Sequence, residues 1–236
     1  MSAVTHARIQ AAVMAVAPAV LLATFLYHPH LEGRMPDPDV VTAAAEADPA
    51  HWGAVHLLTV WAFALLVLAF LALRARMRDA GENRWSAAAF PLVVLSGVLT
   101  GAVAALELAV SAAATAGLDV RALVEAVDPW FQSLLMSGSV AFLLGALAFA
   151  VGVARARLLG PAMTVLVVAA LVVMALSRMV PVFSAFYVGS AAAVLVFWPV
   201  AAAALRRGGG TAAPRPRTAP DASGRPAGRR AAHVHR

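Results

Sequence analysis

The sequence predicts an all-α, polytopic membrane bundle of six transmembrane helices with both termini in the cytoplasm. Three observations predict it. Six long apolar stretches fill most of the chain, charged residues are scarce, and the arginines fall almost entirely on one side of those stretches. Hydrophobic residues make up 62% of 236 residues and charged residues 13%, against about 25% charged in a soluble domain. The chain has room for one transmembrane domain, residues 1–207, and a tail, residues 208–236.

A helix crossing the hydrocarbon core needs about 20 mostly apolar residues. The stretches that meet this are 9–27, 52–73, 88–113, 131–153, 161–178 and 182–205. The first contains Pro18 and is preceded only by His6 and Arg8, so it reads as a span rather than a cleaved signal peptide. The connection 28–51 is the longest and holds Pro36, Pro38 and Pro49; its stretch 39–47 is predicted to form a short interfacial helix. Asp48-Pro49 reads as the N-cap and first residue of the second span, and Asp128-Pro129 as the same start for the fourth. Gly97 and Gly101 in the third span form a small-xxx-small pair, expected to bring two helices together within the monomer. Residues 62–70 (AFALLVLAF) and 141–149 (AFLLGALAF) are alike; Asp-Pro precedes each and Arg-Ala-Arg follows each. A duplicated helical hairpin would produce this, as would low complexity. The tail is rich in Gly, Pro, Arg and Ala and is predicted to be disordered.

Loops on the cytoplasmic side of spans are enriched in basic residues. Arg8, Arg74, Arg76, Arg78, Arg84, Arg155, Arg157, Arg206 and Arg207 all fall on one side of the predicted bundle. The opposite loops hold Arg34, Arg121 and Arg178 but also Glu32, Asp37, Asp39, Glu46, Asp48, Asp119, Glu125 and Asp128. The net charge of +6 is therefore a topology signal and not a nucleic-acid footprint, since eight arginines follow residue 205. Those in the tail are expected to lie on anionic lipid headgroups. The absence of cysteine excludes disulfides and thiolate metal sites. Lysine is absent as well, which with the abundance of Ala, Val, Leu, Arg and Gly suggests a GC-rich, actinobacterial type of genome.

Ionisable residues inside a span are costly and often functional, and the few here gather toward the predicted outer side. Glu107 stands out. At 100° per residue, Ser96, Thr100, Glu107 and Ser111 share one narrow stripe of the third span, which must face protein or water. Glu107 is the candidate catalytic acid or ligand contact. His56, about two turns into the second span, is expected near the same depth. His28, His30 and His51 lie at or beyond the ends of the first two spans, so four of the seven histidines share one side. Imidazoles and carboxylates suit zinc, copper or iron. The spacing carries no metal motif, though, and terminal His233 and His235 read as incidental. Arg178 closes the fifth span and is expected to snorkel, to reach Glu107, or to bind an anionic ligand. Gln132, Ser133 and Ser137 in the fourth span, and Ser184 and Tyr187 in the sixth, add polar groups near that surface. Together they predict a pocket open to the outside, with His56, Glu107, Arg178, Tyr187, Gln132 and Thr100 as candidate ligand contacts.

Nucleotide-binding, zinc-protease and nucleophile-elbow motifs are absent. So is the histidine pairing that brackets a haem within the bilayer, which leaves His28 with His56 as the one candidate haem pair. Three readings compete: a protein that binds or transports a small molecule or ion; a terpene-cyclase-like membrane enzyme on a lipid or isoprenoid, with Glu107 as general acid; and a non-catalytic accessory subunit. The single deep carboxylate counts against the enzyme, because such cyclases usually pair two acids. Oligomeric state is not legible.

The segments His28-Pro29-His30-Leu31, Trp52-Gly53-Ala54-Val55-His56-Leu57 and Gly81-Glu82-Asn83-Arg84-Trp85-Ser86, followed by a Glu near the end of the third span, resemble small actinobacterial membrane proteins of unknown function. The resemblance covers the first three spans. It implies a six-helix bundle and no activity.

Overall fold

The computed structural model describes residues 3–209, with side chains from 5 to 206. The predicted tail, beyond residue 209, lies outside the described residues. The described residues form seven helices and no strand: α1 (Ala3–Tyr27), α2 (Pro38–Ala47), α3 (Pro49–Asp79), α4 (Arg84–Thr115), α5 (Val120–Ala156), α6 (Pro161–Ser177) and α7 (Ser184–Gly209). Five of them, α1, α3, α4, α5 and α7, are long and apolar enough to cross a membrane. With apolar side chains exposed all round, such as Trp61, Val98, Leu144 and Val165, this is a helical membrane bundle.

The helix starts follow local chemistry. Asp37 caps α2 by accepting from the amides of Asp39 and Val40, and Asp48 caps α3 by accepting from His51 N at 2.9 Å. Pro49 occupies the first turn of α3, where its missing N–H costs nothing. The start at Asp48-Pro49 matches the sequence reading, as does the short helix in the first long connection; its cap, Asp37, was not foreseen.

Two elements depart from it. Asp128-Pro129 does not open a helix. The start is nine residues earlier, where Asp119 accepts from Ala122 N at 2.9 Å, and Pro129 sits inside α5. The reason is packing: Val120 and Val124 bury the extra turns, and a proline there forfeits one backbone bond without stopping the helix. The second departure is α6. Its 17 residues rise about 25 Å, short of a hydrocarbon core of about 30 Å.

α1, α3, α4, α5, α6 and α7 pack in a closed ring, each against its two neighbours, with α7 returning to α1. α4 and α5 approach closely because Gly145 has no side chain. A Cβ there would meet Val93, Leu92 and the Ala89 carbonyl at 3.0–3.2 Å. Of the predicted small pair, Gly97 packs tightly, within 2.7 Å of Val67 for an added Cβ, whereas Gly101 faces open space.

The centre of the ring is filled differently at its two ends. Toward the end with the α3–α4 and α5–α6 loops, Phe70 lies on the axis against Phe142, Phe149 and Phe197, with centroids 4.9–6.1 Å apart. All four are buried. Phe70 and Phe149 are equivalent positions of the two similar segments, and they meet here. Toward the other end, α2 lies across α3, α4 and α5. The connection before it is tied to the α6–α7 turn by Met35 N donating to Pro181 O at 2.9 Å. The predicted site residues lie at this α2 end.

Candidate functional site

The polar stripe of α4 faces inward, as an intramembrane stripe must. Ser96, Thr100 and Glu107 are all buried. Ser111, half-buried, donates from its hydroxyl to Pro49 O at 2.7 Å. α3 comes this close because residue 53 is glycine: a Cβ there would lie 2.5 Å from the Ser111 hydroxyl. The close crossing brings Trp52 against Glu107, and Trp52 Nε1 donates to Glu107 Oε2 at 3.1 Å. Among the described residues Glu107 has no cationic partner.

One turn below Trp52, His56 directs Nδ1 at Trp52 O, 2.8 Å away. His28 does the same with Pro29 O at 2.7 Å. A carbonyl only accepts, so each Nδ1 carries the proton and each Nε2 is left with its lone pair. The two imidazoles meet edge to face at 5.1 Å, and Trp52 packs on both. His28 lies just past α1, outside the spans. Burial lowers its pKa to about 4; the Pro29 carbonyl partly opposes this and nearby His51 adds to it.

His28, His56, Thr59, Thr100 and Glu107 line one cavity of about 100 Å³, otherwise walled by apolar and aromatic side chains including Phe25, Phe63, Phe183 and Phe186. Of the four candidate metal histidines only His28 and His56 line it. His51 Nε2 donates to Tyr27 O at 2.9 Å, and His30 is exposed and stacks on Tyr187. Among the described residues, no three His, Asp or Glu side chains are placed to hold a metal ion. Tyr187 thus belongs to the His30 contact and not to the cavity wall.

Arg178 neither snorkels nor reaches Glu107. Its Nη2 donates to Thr100 Oγ1 at 3.0 Å, and its guanidinium lies over Phe63 and Phe186 at 5.2 and 5.7 Å. No carboxylate lies within 4.0 Å of it among the described residues, and its Nε is buried without a partner. Gln132, bonded to Asp128 at 2.7 Å, lines a separate fissure beside Arg178.

Sequence reasoning missed Trp52 as the partner of Glu107, and the ring cluster of Phe25, Phe183 and Phe186. The four-residue spacing of Trp52 and His56 is the one signal that places both on a common face. No protein-family model, characterised protein or solved structure matches this chain.

Proposed function

We propose that the protein binds or transports a small cation or hydrogen-bond donor in the α2-end cavity, with Glu107 and His56 as its principal contacts. The observation that supports this is the chemistry of the wall. Among the described residues Glu107 has a single donor, Trp52, and no counter-cation. The neutral imidazoles of His28 and His56 add two unshared Nε2 lone pairs. Acceptors gathered among aromatic faces suit an ammonium-like or N–H-bearing ligand. The cavity is well below the several hundred Å³ of sites for drug-sized ligands, so the ligand has few heavy atoms. That size, with a lone carboxylate, does not favour the isoprenoid enzyme.

In the same reading, the chain is a bacterial plasma-membrane protein of six spans, α6 included. Both termini are cytoplasmic, the cavity opens outward, and the Arg-rich tail lies on anionic lipids. Basic loops on one side and acidic loops on the other support that orientation. The native chain has no cysteine, so single substitutions report topology cleanly. Ala43→Cys should react with an impermeant maleimide in intact cells, and Ala80→Cys only after permeabilisation; the reverse would overturn the orientation.

For the ligand, thermal unfolding of detergent-purified protein is measured with methylammonium, sodium or zinc chloride. Methylammonium should stabilise the wild type, and Glu107→Gln should abolish the shift. No response to methylammonium, or one unchanged by Glu107→Gln, would sink the proposal. Elemental analysis should find no stoichiometric iron, copper or zinc. Metal lost on His56→Ala would replace this reading with a metal centre.

A further inference from the structure

α6 is the shortest member of the ring, and its end has a structural consequence. At the α2 end it stops at Ser177, and the turn 178–183 crosses to α7. α5 has 37 residues against 17 for α6, and Met35 and Pro36 of the first connection stand near this level. The gap is a fissure of about 500 Å³ between α5 and the 178–182 turn; it adjoins the Glu107 cavity, sharing Met35, Pro36, Leu135 and Phe186 with it, but Glu107 and the histidines do not line it.

We propose that this fissure binds the head of an anionic amphiphile, a phosphate or carboxylate carried on an apolar chain, with Arg178 as its cation. Three observations carry it. First, Arg178 is a cation without a counter-charge among the described residues: one hydrogen bond to neutral Thr100, two aromatic faces, and Nε buried with no partner. A buried guanidinium lacking an anion is costly, and an oxyanion pairs with its fork. Second, the other unengaged polar groups there are hydroxyls. Ser137 and Ser139 line the fissure and make no hydrogen bond to the described residues. No carboxylate lines the fissure among the described residues, and Asp128 is bonded by the Gln132 amide. Third, the rim is apolar. Met136, Met179 and Val180 line the fissure and are exposed at the surface, where an acyl or isoprenoid chain would lie. A polar interior with a lipid-facing apolar mouth fits a head inside and a tail outside. The inference does not depend on the ligand proposed for the Glu107 cavity.

The test is lipid retention by full-length protein in detergent, read by native mass spectrometry and by titration. The probes are dioleoyl-phosphatidylglycerol, dioleoyl-phosphatidylcholine, oleate and inorganic phosphate. Wild-type protein should retain one phosphatidylglycerol or oleate, preferred over phosphatidylcholine by roughly tenfold or more. Arg178→Gln should remove the preference. Should that variant fail to fold, Ser137→Trp decides: Ser137 is exposed on α5 and lines the fissure, so an indole there should fill it, with the preference lost while Arg178 is retained. The tail arginines also attract anionic lipid, but every variant keeps them, so the difference isolates the fissure. Equal retention of the two phospholipids by wild type, or a preference that survives both substitutions, would overturn the site. Displacement of phosphatidylglycerol by inorganic phosphate would overturn the amphiphile and assign Arg178 to a soluble anion.

Discussion

The two ends of the helix ring solve the same geometric problem in opposite ways. Six helices in a ring leave space along the axis. At the end of the α3–α4 and α5–α6 loops, Phe70 and three other phenyl rings close that space. At the α2 end the side chains on the axis are Trp52, His28, His56, Thr100 and Glu107, and a cavity remains. Phenyl rings pack against one another with no further demand. Carboxylates, imidazoles and hydroxyls hold directional partners and leave room between them. The difference shows that one ring of helices accommodates both arrangements and that a few axial side chains decide which end is filled and which keeps a cavity.

The largest expected effect comes from opening the closed end. Phe70→Ala removes a fully buried ring from the axis and should cost about 3–5 kcal/mol, seen as a lower unfolding temperature in detergent. If the two ends are independent, ligand response at Glu107 survives in whatever fraction stays folded. Next comes the α3–α4 crossing. Gly53→Ala should destabilise by about 1–3 kcal/mol through collision with Ser111. Ser111→Gly in the same chain should relieve part of it, because the two residues are coupled; strictly additive losses would show that the helices do not cross as described.

The α2 end should also be the pH-sensitive one. His28 has a folded pKa of about 4 against 6.5 for the free side chain, so its neutral form belongs to the folded state. That contribution is complete above pH 6.5 and is lost as pH falls toward 4. The unfolding temperature should decline over that window, and His28→Gln should reduce the slope; an unchanged slope would refute the assignment. The smallest effect is expected at the surface. Arg121 joins Asp39 of α2 to Glu125 of α5, with all three side chains exposed. Arg121→Gln should leave the unfolding temperature nearly unchanged, measured at low and high salt.

Five of the six predicted spans were legible because intramembrane helices need long apolar runs, and the cap at Asp48 because capping is local chemistry. The α4 stripe was legible for the same kind of reason: four polar side chains at helical spacing cannot face lipid. What was not legible depends on contacts distant in sequence. Glu107 finds Trp52 through a bond spanning 55 residues, permitted by a glycine at position 53. Arg178 at a helix end reads as a snorkelling residue, and only the three-dimensional turn after α6 directs it at Thr100. Asp128-Pro129 misled because a strong local start signal is outweighed by the burial of Val120 and Val124 farther upstream.

The four phenyl rings around Phe70 also have an electrical consequence. A dry septum carries no water wire, so it insulates, and most of a transmembrane voltage drops across it. Glu107 and His56 lie on the α2 side of that septum, so where solution reaches the cavity they would be electrically close to it. Moving a unit charge across the whole bilayer involves about 2.3 kcal/mol per 100 mV. A cation entering from the α2 side to Glu107 would cross only a small part of that field, so its binding should scarcely respond to membrane potential.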